Sequence, residues 1–294
     1  MLRYCLLELA AVCLALCAPI PALAAAGAIR VVAAENFYGD IAAQLAGPAA
    51  QVTSVLHNPD ADPHLFEVDI ATARAVAAAD LVIYNGLGYD TWMSRLLESL
   101  DPARRVVVEA AAASRAASGS NPHLWYDPRA IRSLAAAVAS ALERIDPAHR
   151  SDYAERLARF TASLRPLDEE IARLRARDAG AAVAATEPVA DYLVAALGLD
   201  MRERRFQLAV ENGTEPSAAD TAAFQNALRR REVRVLIYNP QASSTAVERL
   251  LGIAREARVP IVGMTETEPR GLDYQQWMLG ELRALGRALG VAAR

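Results

Sequence analysis

The sequence predicts an α/β protein of two (β/α)4 lobes with parallel sheets, joined by one long α-helix. Three observations lead there. β-rich runs alternate with segments of helical spacing through the first half of the chain, which argues for a parallel sheet. The alternation then restarts in the second half without any repeat of the sequence itself. Between the halves lies a helical seam longer than an ordinary surface helix. At 294 residues, 53% of them hydrophobic, the chain has enough apolar material for two buried cores.

The first segment is a targeting signal by pattern. A short basic start, Met1-Leu-Arg-Tyr4, precedes an apolar run from Leu6 to Ile20 broken only by Glu8. Ala22-Leu23-Ala24 then offers small-x-small cleavage after Ala24. The run is shorter than the ~20 residues a membrane span needs. Cys17 could suggest lipid attachment, but Leu16 stands where a small residue is wanted. All three cysteines (Cys5, Cys13 and Cys17) fall in this leader, so a mature chain lacks disulfides, thiolate metal sites and a cysteine nucleophile. The formal net charge of −4 and the absence of a basic stripe exclude nucleic acid as a partner.

In the first lobe, strands are expected at Ile29–Ala34, Val52–Leu56, Leu81–Asn85 and Arg105–Glu109. Helices are expected over Asn36–Leu45, Asp69–Ala79 with Asp69 as cap, and Thr91–Leu100. Residues 111–120 read as a loop. Asp127 and Pro128 open an alanine-rich helix to Ile145, which Asp146-Pro147 ends. The joining helix is expected from Asp152 to Arg177. Its seam of Tyr153, Leu157, Phe160, Leu164, Leu167, Ile171 and Leu174 steps alternately by four and three. It would be roughly 39 Å long, with a kink at Pro166. In the second lobe, strands are expected at Ala181–Thr186, Phe206–Val210, Val233–Asn239 and Pro260–Met264. The intervening helices cover Val189–Leu197, Ala218–Arg230 capped by Ser217, Thr245–Ala257 and Tyr274–Leu289. The resulting division is a leader at 1–24, an N-terminal lobe at 25–148, a linking helix at 149–178 and a C-terminal lobe at 179–294.

The chemistry concentrates in two similar frames, Asp62-Pro-His-Leu-Phe-Glu67 and Asn121-Pro-His-Leu-Trp-Tyr-Asp127. Each holds a histidine between a conformation-fixing proline and an apolar wall. Ligands of open parallel sheets bind beyond the carboxyl ends of strands. That filter keeps His64 and His123 from the first half, and Glu187 and Asp273 from the second. Glu266 and Glu268 share the last loop with Asp273 and are alternatives to it. Two imidazoles and two carboxylates form a donor set for a divalent transition metal. Other roles are open for the acids: Glu187 could favour a helix start, and Asp273 could cap the last helix. His57 and His149 read as ordinary surface groups. There is no His-Glu-x-x-His, P-loop or Gly-x-Ser-x-Gly, and Gly86-Leu-Gly88 lacks the third glycine of a dinucleotide loop.

These residues resemble a known family over the whole mature chain. Val31-Val-Ala-Ala-Glu-Asn-Phe37, the two Pro-His-Leu frames, Ala79-Asp-Leu-Val-Ile-Tyr-Asn-Gly86 and Tyr274-Gln-Gln-Trp-Met278 are similar to the solute-binding proteins of bacterial zinc/manganese ABC transporters. That group includes the adhesin-like metal-binding lipoproteins. The resemblance implies a periplasmic monomer that binds Zn2+ or Mn2+ between two lobes and delivers it to a membrane permease. It places the family's ligands on His64, His123, Glu187 and Asp273. The long histidine-rich loop of many zinc members is missing, and the three carboxylates after Met264 depart from the usual pattern. The alternative function is a metal-dependent hydrolase that uses the same ligands and keeps a water on the ion.

Overall fold

The computed structural model describes residues 28–60, 63–242 and 244–292. The leader with its cysteines, and Asp62 of the first histidine frame, lie outside the described residues.

The first lobe runs β1 (Ile29–Glu35), α1 (Asn36–Ala46), β2 (Ala50–Leu56), α2 (Ile70–Ala78), β3 (Leu81–Tyr84), α3 (Thr91–Glu98), β4 (Val106–Glu109), α4 (Ala110–Ser114) and α5 (Pro128–Ile145). Two helices follow, α6 (Arg150–Ser163) and α7 (Arg165–Asp178). The second lobe contains β5 (Ala182–Ala185), α8 (Asp191–Ala196), β6 (Asp200–Arg202), α9 (Arg204–Glu211), α10 (Ala218–Arg229), β7 (Leu236–Tyr238), α11 (Thr245–Glu256), β8 (Ile261–Gly263) and α12 (Tyr274–Ala292). Both sheets are parallel and share one topology, β2-β1-β3-β4 and β6-β5-β7-β8. The expected duplication of architecture is present at the level of strand order.

Local chemistry explains most boundaries. The Asp69 carboxylate accepts from Thr72 N at 2.7 Å and starts α2, while Asp127 and Pro128 open α5. Ser217 caps α10. Gly86 turns the chain out of β3 at φ +82°, where a Cβ would strike the Glu109 side chain.

The linking helix is long and bent, as the kink expected at Pro166 requires, its two segments meeting at Leu164. Pro166 takes the second position of α7, where its missing N–H costs nothing. The seam survives the bend: Tyr153, Phe160, Leu164, Leu167 and Leu174 are all buried. Two expectations need correction. Phe206–Val210 is not a strand but the body of α9. As a strand, Phe206 and Leu208 would share a face, yet Phe206 is buried and Leu208 is 53% exposed. The pairing strand is Asp200–Arg202, and Glu203 at φ 59° turns the chain into α9. The alanine run after β4 forms the short helix α4 where a loop was expected, as alanine's helix propensity favours.

One core passes through both lobes. It joins Phe37, Ile41 and Trp125 of the first to Val183, Ile237 and Trp277 of the second. Among the described residues no helix is long and apolar enough to cross a membrane.

Candidate metal centre

Six polar groups of the site lie beyond the carboxyl ends of strands. His64 follows β2, Tyr89 follows β3 and His123 follows β4 with α4 between. On the other side Glu187 follows β5, Asn239 follows β7 and Glu266 follows β8. The two sheets therefore present their binding edges to one interlobe gap.

His123 is fully buried and rigidly held. The Asn121 amide donates through Nδ2 to Pro188 O at 2.7 Å, so its Oδ1 faces the histidine. That oxygen accepts from His123 N at 2.9 Å and from His123 Nδ1 at 2.6 Å. Nδ1 therefore carries the proton, and in the neutral ring Nε2 presents a lone pair. The backbone around it is pinned from both lobes: Asn85 Nδ2 donates to Pro122 O at 2.9 Å and the Tyr192 hydroxyl to Asn121 O at 2.8 Å. Trp125 and Tyr89 wall the ring at centroid distances of 5.1 and 6.1 Å.

His64 is the looser partner. It sits in a single turn of 3-10 helix with its side chain 37% exposed, edge-on to Tyr89. The two imidazoles face the same carboxylate. Glu266 Oε2 lies 3.4 Å from His64 Nε2 and 3.7 Å from His123 Nε2. The Tyr89 hydroxyl donates to Glu266 Oε2 at 3.0 Å, and Asn239 Nδ2 to Oε1 at 2.6 Å. Burial alone would raise the Glu266 pKa, but His123 and His64 override it and hold the carboxyl well below its usual range. His123 Nε2 has no hydrogen-bond partner although it is buried. The pull of the histidines on Glu266 requires protonated imidazoles; once the rings are neutral, a cation between the Glu266 carboxylate and the Nε2 lone pairs would take the place of those protons.

Glu187 is buried on the second-lobe side, near Asn239. Burial, then Glu266 and Glu211, push its carboxyl up to about 8, against the opposing pull of His64. Among the described residues, no group of three His, Asp or Glu side chains is disposed to hold a metal ion as the side chains stand. Filling the site therefore needs side-chain movement, and clamped His123 is not the group that moves.

Asp273 is not in this constellation. Its Oδ1 accepts from Gln276 N at 2.7 Å while its own N–H is 3.2 Å from Gln276 Oε1, a reciprocal cap on α12. It borders a surface depression with Gln44 and Arg156 instead. Of the three acids in that loop, Glu266 meets the histidines. Glu268 is buried near Asp40 and Asp273, its backbone held by Asn36, and burial followed by those two acids raises it to about 9. His57 and His149 lie elsewhere, bonded to Val55 O and to Asp146.

The family described as "Zinc-uptake complex component A periplasmic" matches residues 31–288. The chain belongs to this zinc-uptake family. It is 26% identical over 146 residues to the manganese-binding lipoprotein MntA of Halalkalibacterium halodurans, covering 49% of this chain and 48% of that protein. It is 22% identical over 267 residues to the zinc-binding lipoprotein AdcA of Streptococcus pneumoniae, covering 82% and 52%. The chain thus spans about half the length of these relatives. The solved structure of the periplasmic zinc binding protein TroA from Treponema pallidum matches at a TM-score of 0.74 and 20% identity, over 90% of this chain and 99% of that one. That likeness confirms the two-lobed α/β fold.

In this member of the zinc-uptake family, several residues that shape the site had no role assigned from sequence: Tyr89, Asn121, Asn239 and Glu211. Asn239 immediately follows β7, so the strand-end rule could have found it. Tyr89 lies in the glycine-flanked turn after β3, again at a strand end. Glu211 had no such signal, because it closes α9, a helix that sequence pattern reads as a strand.

Proposed function

We propose that the chain captures one divalent transition-metal ion, Mn2+ or Zn2+, between its lobes and presents it to the membrane permease of an ABC transporter. It acts in the periplasm as a monomer after loss of residues 1–24. His64, His123, Glu187 and Glu266 are the proposed ligands, with Glu266 in the place expected for Asp273. The observation that carries this reading is the Glu266 carboxylate facing both imidazole Nε2 atoms, one of them buried without a partner. Family membership supports a role in metal uptake, and the relatives are named for zinc and for manganese. The hydrolase reading finds no support among them.

The test is elemental analysis of protein purified without chelator, followed by competitive titration with Mn2+ and Zn2+. The purified protein is expected to carry about one ion per chain. Loss of an outer-sphere partner costs 10- to 100-fold in affinity, so removing a direct ligand by His123→Ala should cost about a hundredfold or more. A His123→Ala protein that binds as tightly as the parent would overturn the proposal.

A further inference from the structure

The interlobe cleft that opens onto His64 has a volume of about 400 Å3. Its wall on the second-lobe side includes Glu211, at the last position of α9, facing His64, Tyr89 and Asn121 on the other. Glu211 is half-buried, yet its Oε2 is shut off from solvent and has no hydrogen-bond partner. The other acid on that wall, Asp191, is engaged by Arg204 at 2.8 Å. Glu211 is within electrostatic reach of both imidazoles and of Glu266, and Glu187 in turn responds to Glu211. A buried carboxylate oxygen without a donor, within electrostatic reach of a buried imidazole nitrogen without one, is costly unless something positive comes between them.

We infer that Glu211 is a specificity-determining fifth donor of this site, which engages the ion when it is Mn2+ and stays off it when it is Zn2+. The inference rests on the metal-binding reading above and deepens it. Two imidazoles with Glu187 and Glu266 already supply four donors, and four close a zinc shell, because Zn2+ settles into tetrahedral coordination. Mn2+ suits carboxylate oxygens and accepts more donors than four. A third carboxylate, bordering the cleft and free of other bonds, therefore adds to manganese binding and is redundant for zinc. It also works against the general preference of nitrogen and oxygen sites for zinc over manganese.

The experiment measures dissociation constants of the purified protein for Mn2+ and for Zn2+ by chelator competition, in the parent, Glu211→Gln and Glu211→Asp. Circular dichroism of the metal-free proteins confirms that each is folded. Glu211→Gln is expected to weaken Mn2+ binding about tenfold, the lower end of what loss of a supporting partner costs, and to leave Zn2+ within about threefold of the parent. Glu211→Asp, with its shorter carboxylate, should fall between. X-ray absorption at the manganese edge should lose one oxygen donor in Glu211→Gln, with the zinc spectrum unchanged, a readout that a merely structural role would not move. Equal losses for both ions, or no loss for either, would overturn the inference while leaving the receptor reading intact. A parent protein that binds neither ion would overturn the receptor reading itself.

Discussion

His123 has its chemistry settled before any ion arrives. Asn121 fixes the Nδ1 proton, so the lone pair on Nε2 must point into the gap. The proline-framed pattern made His64 and His123 legible in the sequence, because fixed backbone and apolar walls are written in adjacent residues. The fourth acid was not legible in that way. Nothing local says how a ten-residue loop after β8 folds back, so Glu266, Glu268 and Asp273 are equivalent until the loop is seen. One signal was available: Asp273-Tyr-Gln-Gln276 is a capping-box spacing, and such a carboxylate is already occupied. Glu266→Gln should therefore weaken metal binding about a hundredfold, whereas Asp273→Asn should leave it unchanged; titration of both variants against one chelator decides between them. Glu187 adds a pH signature. Its folded pKa, raised to about 8, lies above the ordinary carboxyl value, so near pH 7 the metal-free protein holds a proton there. The stability that proton brings is fully present below pH ~4.5 and lost as pH rises through about 8. A metal must displace the proton, so affinity should keep rising between pH 7 and 8. Calorimetry in two buffers of different ionisation enthalpy should detect proton release at pH 7. Glu187→Gln should abolish that release.

At the scale of elements, periodicity read what packing obeys. The four-three seam of the linking segment stays buried across the bend, because a helix can change direction at Pro166 without turning its apolar face to water. The same reasoning misread α9, since a five-residue apolar run fits either period and only its neighbours decide. There Phe206 meets Phe224 edge-on at 5.1 Å, and that contact fixes the helix face. The last helix, α12, lies along α7, and close approach depends on Gly286. A Cβ placed there would sit 2.7 Å from Cδ2 of Leu174, the last residue of the buried seam. Its carbonyl also accepts from Arg177 Nη2 at 2.6 Å. Gly286→Val should therefore destabilise the fold by about 1–3 kcal/mol through overpacking. Denaturant unfolding measures this, and a variant as stable as the parent would show that the helices have room to separate.

At the scale of the molecule, the two sheets are separate but the core between them is not. Phe37 of the first lobe stacks 5.8 Å from Trp277 of the second, and the Tyr274 hydroxyl donates to Trp125 O at 2.7 Å. A polar stripe on α1 fastens the same boundary at intervals of four residues. Asn36 exchanges hydrogen bonds with the Glu268 backbone, Asp40 accepts from Tyr274 N at 3.0 Å, and Gln44 pairs reciprocally with Gln275 at 2.8 and 3.0 Å. Opening the lobes would expose that apolar contact and break the stripe together, and a packed interface yields little to small forces. Metal capture should then proceed by movement of exposed His64 and its loop, while the lobes hold their relative orientation. Paired structures of the metal-free and metal-loaded protein are expected to differ by far less than the about 15° of a rigid-body subunit rotation. An ion bound only by the folded form should still stabilise it, by about 2.7 kcal/mol at a free concentration a hundredfold above the dissociation constant. The two measurements together separate the mechanisms: a thermal shift with fixed lobes means a preformed frame closed by one loop. A shift accompanied by a large rotation would mean that the continuous core re-forms on binding, and that the boundary described here belongs to only one of two states.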